Sequence, residues 1–128
     1  MTEVAGRPKV LVVEDDLDVL ATVSEAFARD GWDCVGADTD ALAYRELERA
    51  PESFAVLVAD INLGRGATGF DVARQARFRN PEIAVVYISG EGEADIRRFG
   101  VWGAELLGKP FEAADLTALA RRLAEAKA

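Results

Sequence analysis

Three stretches of this chain are apolar without interruption for the length of a strand, and each stops at a polar residue: 10–13 at Glu14, 54–59 at Asp60 and 83–88 at Ser89. Apolar runs without alternation belong to strands buried on both faces, as in parallel sheets, and parallel strands need long crossovers between them. Helical spacing supplies the crossovers: Leu17, Leu20, Val23 and Phe27, then 41–49, 70–78, 93–99, and a last helix from Glu112 with Leu116, Leu119, Ala120 and Leu123 on one stripe. Two shorter runs, 32–36 and 104–108, read as the remaining strands, the first more polar and suited to a sheet edge. Five strands alternating with five helices predict an α/β sandwich, a parallel sheet covered on both faces, in a single domain over 1–128 with its core at about 8–126 and no output domain.

In such a sheet the strand ends share one rim, where ligands collect. The residues at that rim are Glu14, Asp15 and Asp16, then Asp60, Ser89 and Lys109. Each alone is an ordinary cap or turn residue. Together they set an electrostatic problem, because clustered carboxylates must take up protons or a cation. Oxygen donors select a hard metal, and an open cluster that keeps room for water and phosphate suits Mg²⁺ better than Ca²⁺. With Lys109 opposite, the rim is suited to hold a phosphoryl group, and Asp60 to act as the nucleophile forming an acyl phosphate.

Composition narrows the alternatives. The chain has no histidine, which removes Ser-His-Asp and Cys-His chemistry and His-bound zinc, and its single cysteine, Cys34, reads as a small buried hydrophobe in a strand. A net charge of -8 disfavours direct nucleic-acid binding. No apolar run is long enough for a membrane span and no signal-peptide core opens the chain, so a cytoplasmic location is expected. A glycine-rich nucleotide fingerprint is missing after the first strand, where three acids would repel a pyrophosphate.

The four rim elements in this order resemble the receiver domains of two-component response regulators, in particular single-domain receivers of the chemotaxis type, over essentially the whole chain. The resemblance implies a flavodoxin-like (βα)5 fold with strand order 2-1-3-4-5. It implies Glu14 and Asp15 as metal-binding acids with Asp16 leading into the first helix, Asp60 as phosphoacceptor, and the backbone carbonyl of Asn62 as a further Mg²⁺ ligand. Ser89 would bond a phosphoryl oxygen, and Lys109, Pro110 and Phe111 would form the family's Lys-Pro-Phe, usually with a cis peptide before the proline. Asn62 and Glu91 fall where receivers tune dephosphorylation, which implies a short phosphoryl lifetime that an apolar residue at Glu91 would lengthen.

Two departures stand out. Leu106 occupies the switch position where receivers commonly carry Tyr or Phe, with Tyr87 and Trp102 as possible compensation or simple packing. The loop after Asp60 has Gly64 where proline is common and its later glycine, Gly69, one residue late, so it reads as longer and more flexible. Arg97, Arg98, Phe99, Val101 and Trp102 fall on the face many receivers use for partners.

The leading expectation is a single-domain regulator, phosphorylated on Asp60 by a sensor histidine kinase or histidine phosphotransfer protein, which signals to an unknown downstream protein by altered contact. It would be a monomer or weak dimer, catalysing only its own phosphorylation and dephosphorylation. The alternatives are a relay intermediate or phosphate sink, which Leu106 favours slightly, and a docking module that does not need phosphorylation, which the full acidic set argues against.

Overall fold

The computed structural model describes residues 7–64, 66–90 and 93–126. The three apolar runs become β1 (Lys9–Val13), β3 (Val56–Asp60) and β4 (Ala84–Ser89), with every residue of β3 and β4 buried. They fill the centre of a five-stranded sheet of order β2-β1-β3-β4-β5, with β2 (Asp33–Ala37) and β5 (Glu105–Gly108) at the edges. All pairings are parallel, and the register sets Val13 beside Ala59, Asp60 beside Ile88 and Ser89 beside Gly108.

Alternate residues divide between the two faces. Val10, Val12, Val58 and Val86 meet Val23 and Phe27 of α1 (Leu17–Arg29) and Leu116 and Ala120 of α5 (Ala113–Glu125). Leu11, Leu57, Val85 and Tyr87 meet α2 (Asp40–Arg49), α3 (Gly69–Arg79) and α4 (Glu93–Phe99) through Leu47, Phe70, Val72 and Ile96. Each such aliphatic side chain contributes about 1.5–3 kcal/mol through burial. The helices begin on side-chain caps: Asp16 for α1, Thr39 for α2 and Thr68 for α3.

Two details differ from expectation. Trp32 precedes β2 instead of opening it: after Gly31 (φ +87°) it turns inward, 1% exposed, edge-on to Phe27 at 5.2 Å with its Nε1 donating to Asp30 Oδ2. Cys34 is half-buried, because β2 has β1 on one side only.

Candidate functional site

Glu14 prolongs β1 by one residue, its N–H donating to the Ala37 carbonyl (3.0 Å), and its side chain is completely buried. Glu14 Oε2 accepts from Asp16 N (3.2 Å). Glu14 Oε1 lies 2.9 Å from Lys109 Nζ but has no donor aligned on it as a hydrogen bond. Asp60 ends β3, 6% exposed, with Oδ1 accepting from Asn62 N (3.0 Å) and Oδ2 from Lys109 Nζ (2.8 Å). Lys109 follows β5, its N–H donating to the Ser89 carbonyl (2.7 Å), and the Lys109–Pro110 peptide is cis. Asp15 is exposed, and oxygens of Glu14, Asp15 and Asp60 lie within 4.8 Å of one another. Asp16 is spent on capping α1, accepting from the N–H groups of Asp18 and Val19.

The charges are not at ease. Burial, and then the Asp60 carboxylate, push the Glu14 pKa up to about 7 against the opposing pull of Lys109 and the Asp16 N–H. Burial works against charge on Lys109 too, but Asp60 and Glu14 outweigh it and raise its pKa, so the ammonium is fixed as a cation. One lysine thus bridges two carboxylates from β1 and β3, with a third acid open to solvent beside them.

The rim coincides with a family match: residues 10–121 fit the response regulator receiver domain. The chain belongs to that family. Membership makes it a domain that accepts a phosphoryl group in two-component signalling, in a family that generally uses Mg²⁺ and meets histidine kinases or phosphotransfer proteins. It is 30% identical over 118 residues to the photosynthetic apparatus regulatory protein RegA of Rhodovulum sulfidophilum, covering 91% of this chain and 63% of that protein. It is 32% identical over 119 residues to the transcriptional regulatory protein PrrA of Mycobacterium tuberculosis, covering 91% and 49%. The chain therefore spans less than two-thirds of these curated relatives. Among solved structures, a response regulator receiver protein from Sinorhizobium medicae superposes with a TM-score of 0.90 at 26% identity, over 97% of this chain and 99% of that one.

Within this receiver, described residues of the loop after Asp60 bond to one another and to the strand end. Asn62 bridges to Thr68, Asn62 Oδ1 accepts from Gly64 N (3.0 Å), and Gly69 N donates to the Ile61 carbonyl (2.9 Å). The late glycine has a steric reason: a Cβ on Gly69 would sit 2.3 Å from the Asp60 carbonyl oxygen. Ser89 ends β4, 9% exposed, one position past the register partner of Asp60. Leu106 is half-buried on β5 directly across from Tyr87. Glu91 lies outside the described residues. A cavity of about 500 Å³ opens on one side of the rim between α1 and Lys109, Pro110 and Phe111. Another of about 400 Å³ lies on the other side, among Asn62, Thr68, Asp71, Arg74 and Phe99.

Sequence reasoning treated Tyr87 as packing or a possible stand-in for the missing aromatic, and it passed over Arg74 and Arg77. The Tyr87 ring is buried against Phe70, but its hydroxyl accepts from Val101 N (3.1 Å). Arg74 Nη1 donates to the Phe99 carbonyl and Arg77 Nη1 to the Trp102 carbonyl. Arginines on a helix read as solvated face, and bonds to a backbone 25 residues away leave no sequence signature. Trp102 itself is 87% exposed and plugs nothing. Among the described residues, no helix is long and apolar enough to cross a membrane.

Proposed function

We propose that the chain works as a single receiver domain in which Asp60 is the phosphoacceptor, an Asp60 oxygen attacking the phosphorus of a phosphohistidine donor. The P–O bond forms as the P–N bond breaks, its electron pair returning to the donor's imidazole nitrogen, and an acyl phosphate remains. The observation that carries this reading is the Asp60 carboxylate at a strand end, held through Oδ2 by Lys109 and grouped with two other acids. Lys109 then pairs with a phosphoryl oxygen and Ser89 donates to another. The donor comes in over the start of α1, where Leu17 is 63% exposed and the larger rim cavity begins. Leu17→Glu is expected to slow transfer from a phosphohistidine protein while leaving uptake from a small-molecule phosphodonor unchanged.

The acidic trio fits Mg²⁺: all its donors are hard oxygens, and buried Glu14 Oε1 has no aligned hydrogen-bond donor. Glu14, Asp15, Asp60 and the Asn62 carbonyl would hold the ion, which when bound neutralises the carboxylates and the incoming phosphoryl charge. Asn62, fixed at the rim by its bonds to Asp60 and Gly64, and Glu91 set the phosphoryl lifetime.

The test is intact mass after incubation with Mg²⁺ and a small-molecule phosphodonor. A single phosphoryl mass increment is expected in wild type and none in Asp60→Ala or with chelator present. An equal increment in Asp60→Ala would reject the assignment. One observation favours a second reading: Leu106 has no ring or hydroxyl to report the phosphoryl group, as suits a relay intermediate or phosphate sink. Affinity for a downstream protein that does not change on phosphorylation would select that reading over signalling by altered contact.

A further inference from the structure

We propose that Gly64 is a positioning residue for the phosphorylated state: its backbone N–H ties up the carboxamide oxygen of Asn62, and hydrolysis of the acyl phosphate on Asp60 is slower for it. This rests on the reading of Asp60 as the phosphoacceptor and adds a residue that acts through Asn62. Residue type alone gives the opposite sign, because an untethered asparagine offers its oxygen to water.

The tether begins beside the phosphoacceptor. Asn62 N donates to Asp60 Oδ1 (3.0 Å), and Asn62 Oδ1 turns back to accept from Gly64 N (3.0 Å). A carboxamide is planar, so fixing its oxygen toward Gly64 turns its NH2 the other way. Among the described residues nothing accepts from Asn62 Nδ2. Gly64 is itself held: Ala67 N donates to the Gly64 carbonyl (2.9 Å), and Leu63 N, on a buried residue, donates to the Ala67 carbonyl (3.1 Å). A Cβ built on Gly64 would lie 3.4 Å from Asp15 Oδ2, an ordinary contact that sets the tether against the rim acids. Glycine meets both conditions of this bond, an N–H to give and a φ of +78°. Proline meets neither, having no N–H and a φ locked near about −65°.

Hydrolysis needs a water in line with the bond between phosphorus and Asp60. The water oxygen bonds to phosphorus as that P–O bond breaks, its electron pair returns to the Asp60 carboxylate, and the water's protons leave on inorganic phosphate. A neighbouring group hastens the step by accepting from the water, and in a carboxamide only the oxygen accepts. The tethered Asn62 presents its NH2, which donates to a phosphoryl oxygen and draws no proton from the water.

The experiment follows decay of protein phosphorylated with acetyl phosphate and Mg²⁺, by intact mass after the donor is removed, with circular dichroism checking each fold. Gly64→Pro is expected to decay at least about fivefold faster than wild type, the rate equivalent of one neutral hydrogen bond. In an Asn62→Ala background, which keeps the backbone carbonyl, Gly64→Pro should change decay less than about twofold. Unchanged or slower decay in Gly64→Pro, or equal acceleration in both backgrounds, would overturn the proposal. Asn62→Ala alone is expected to decay no more slowly than wild type; slower decay would show the oxygen serving the water in spite of Gly64. A readout without phosphate separates this inference from the assignment of Asp60. The Gly64 amide of unphosphorylated protein should exchange at least about fivefold faster in Asn62→Ala, and equal exchange removes the tether whether or not Asp60 is phosphorylated.

Discussion

The acidic rim and the α4–β5 turn are unfinished in opposite ways. At the rim, ionisable groups are buried and compete: Glu14 and Asp60 share Lys109, and the Glu14 pKa is pushed up to about 7. At the turn the three backbone groups are satisfied by Tyr87, Arg74 and Arg77, and what remains exposed is aromatic surface. The rim lacks charge compensation, which a small ion and a phosphoryl group supply. The turn leaves the rings of Phe99 and Trp102 open to solvent. The turn leads into the start of β5 while the rim lies where the strands finish, so the two regions sit at opposite ends of the strands.

A methyl group separates the two regions most strongly. Gly69→Ala would bring a Cβ to 2.3 Å from the Asp60 carbonyl oxygen and 3.2 Å from Ala59 Cβ, and is expected to cost about 3 kcal/mol, at the upper end of overpacking. Gly103→Ala, at the turn, meets nothing within 4 Å and bears only its positive φ of 76°, a cost of about 1 kcal/mol. Urea midpoints measure both. Equal losses would mean that the loop after Asp60 yields, and that the rim is no more tightly built than the turn.

Acid titration comes next. Glu14 is ordinary when unfolded, near 4.5, and is raised to about 7 when folded, so between those values the folded chain binds the extra proton. Its contribution to stability therefore falls as pH rises from about 4.5 to about 7, and the whole penalty is present above that. In metal-free protein, wild type is expected to lose on the order of 3 kcal/mol relative to Glu14→Gln across this window. Mg²⁺ should reduce the difference by favouring the ionised carboxylate. Parallel pH profiles for the two proteins would show that Glu14 titrates normally, and the contrast between a strained rim and a satisfied turn would fail.

How far each region could be read in advance follows from the physics that built it. The fold was legible because three apolar runs admit only strands buried on both faces, and the order β2-β1-β3-β4-β5 agrees with the family resemblance. The grouping of Glu14, Asp60 and Lys109 was legible because parallel strands bring their ends to one rim. Which of the three consecutive acids does what was not legible from spacing alone. The β1 pleat buries Glu14, leaves Asp15 to solvent and gives Asp16 to the α1 cap. At the turn the exposed residues were legible through the family resemblance, but what holds their backbone was not, since Arg74 and Arg77 bind carbonyls and carbonyls have no sequence identity. Trp32 and Trp102 are both tryptophans beside a glycine, and only packing makes one core and the other surface.

Tyr87→Phe keeps the ring against Phe70 and removes only the hydroxyl that accepts from Val101 N. Losing that bond is expected to cost about 1 kcal/mol. Hydrogen exchange is the sharper readout: the Val101 amide should lose protection while Val58, in the sheet centre, keeps it. Unchanged exchange at Val101 would mean that the arginines hold the turn unaided.

The smallest effect carries as much argument as the largest. Trp102 is 87% exposed, and only its backbone carbonyl is used, by Arg77. Trp102→Ala retains that carbonyl and gives up little buried area, so stability should stay within about 0.5 kcal/mol of wild type, as for surface positions away from special contacts. A thermal melt with chelated metal measures it without any influence from the rim. A loss comparable to that of Gly69→Ala would show the indole packed into the fold in solution, and the turn would then be a finished surface with no apolar remainder to offer a partner. A neutral result leaves a large aromatic side chain that the fold does not use, on a backbone that three side chains hold in place.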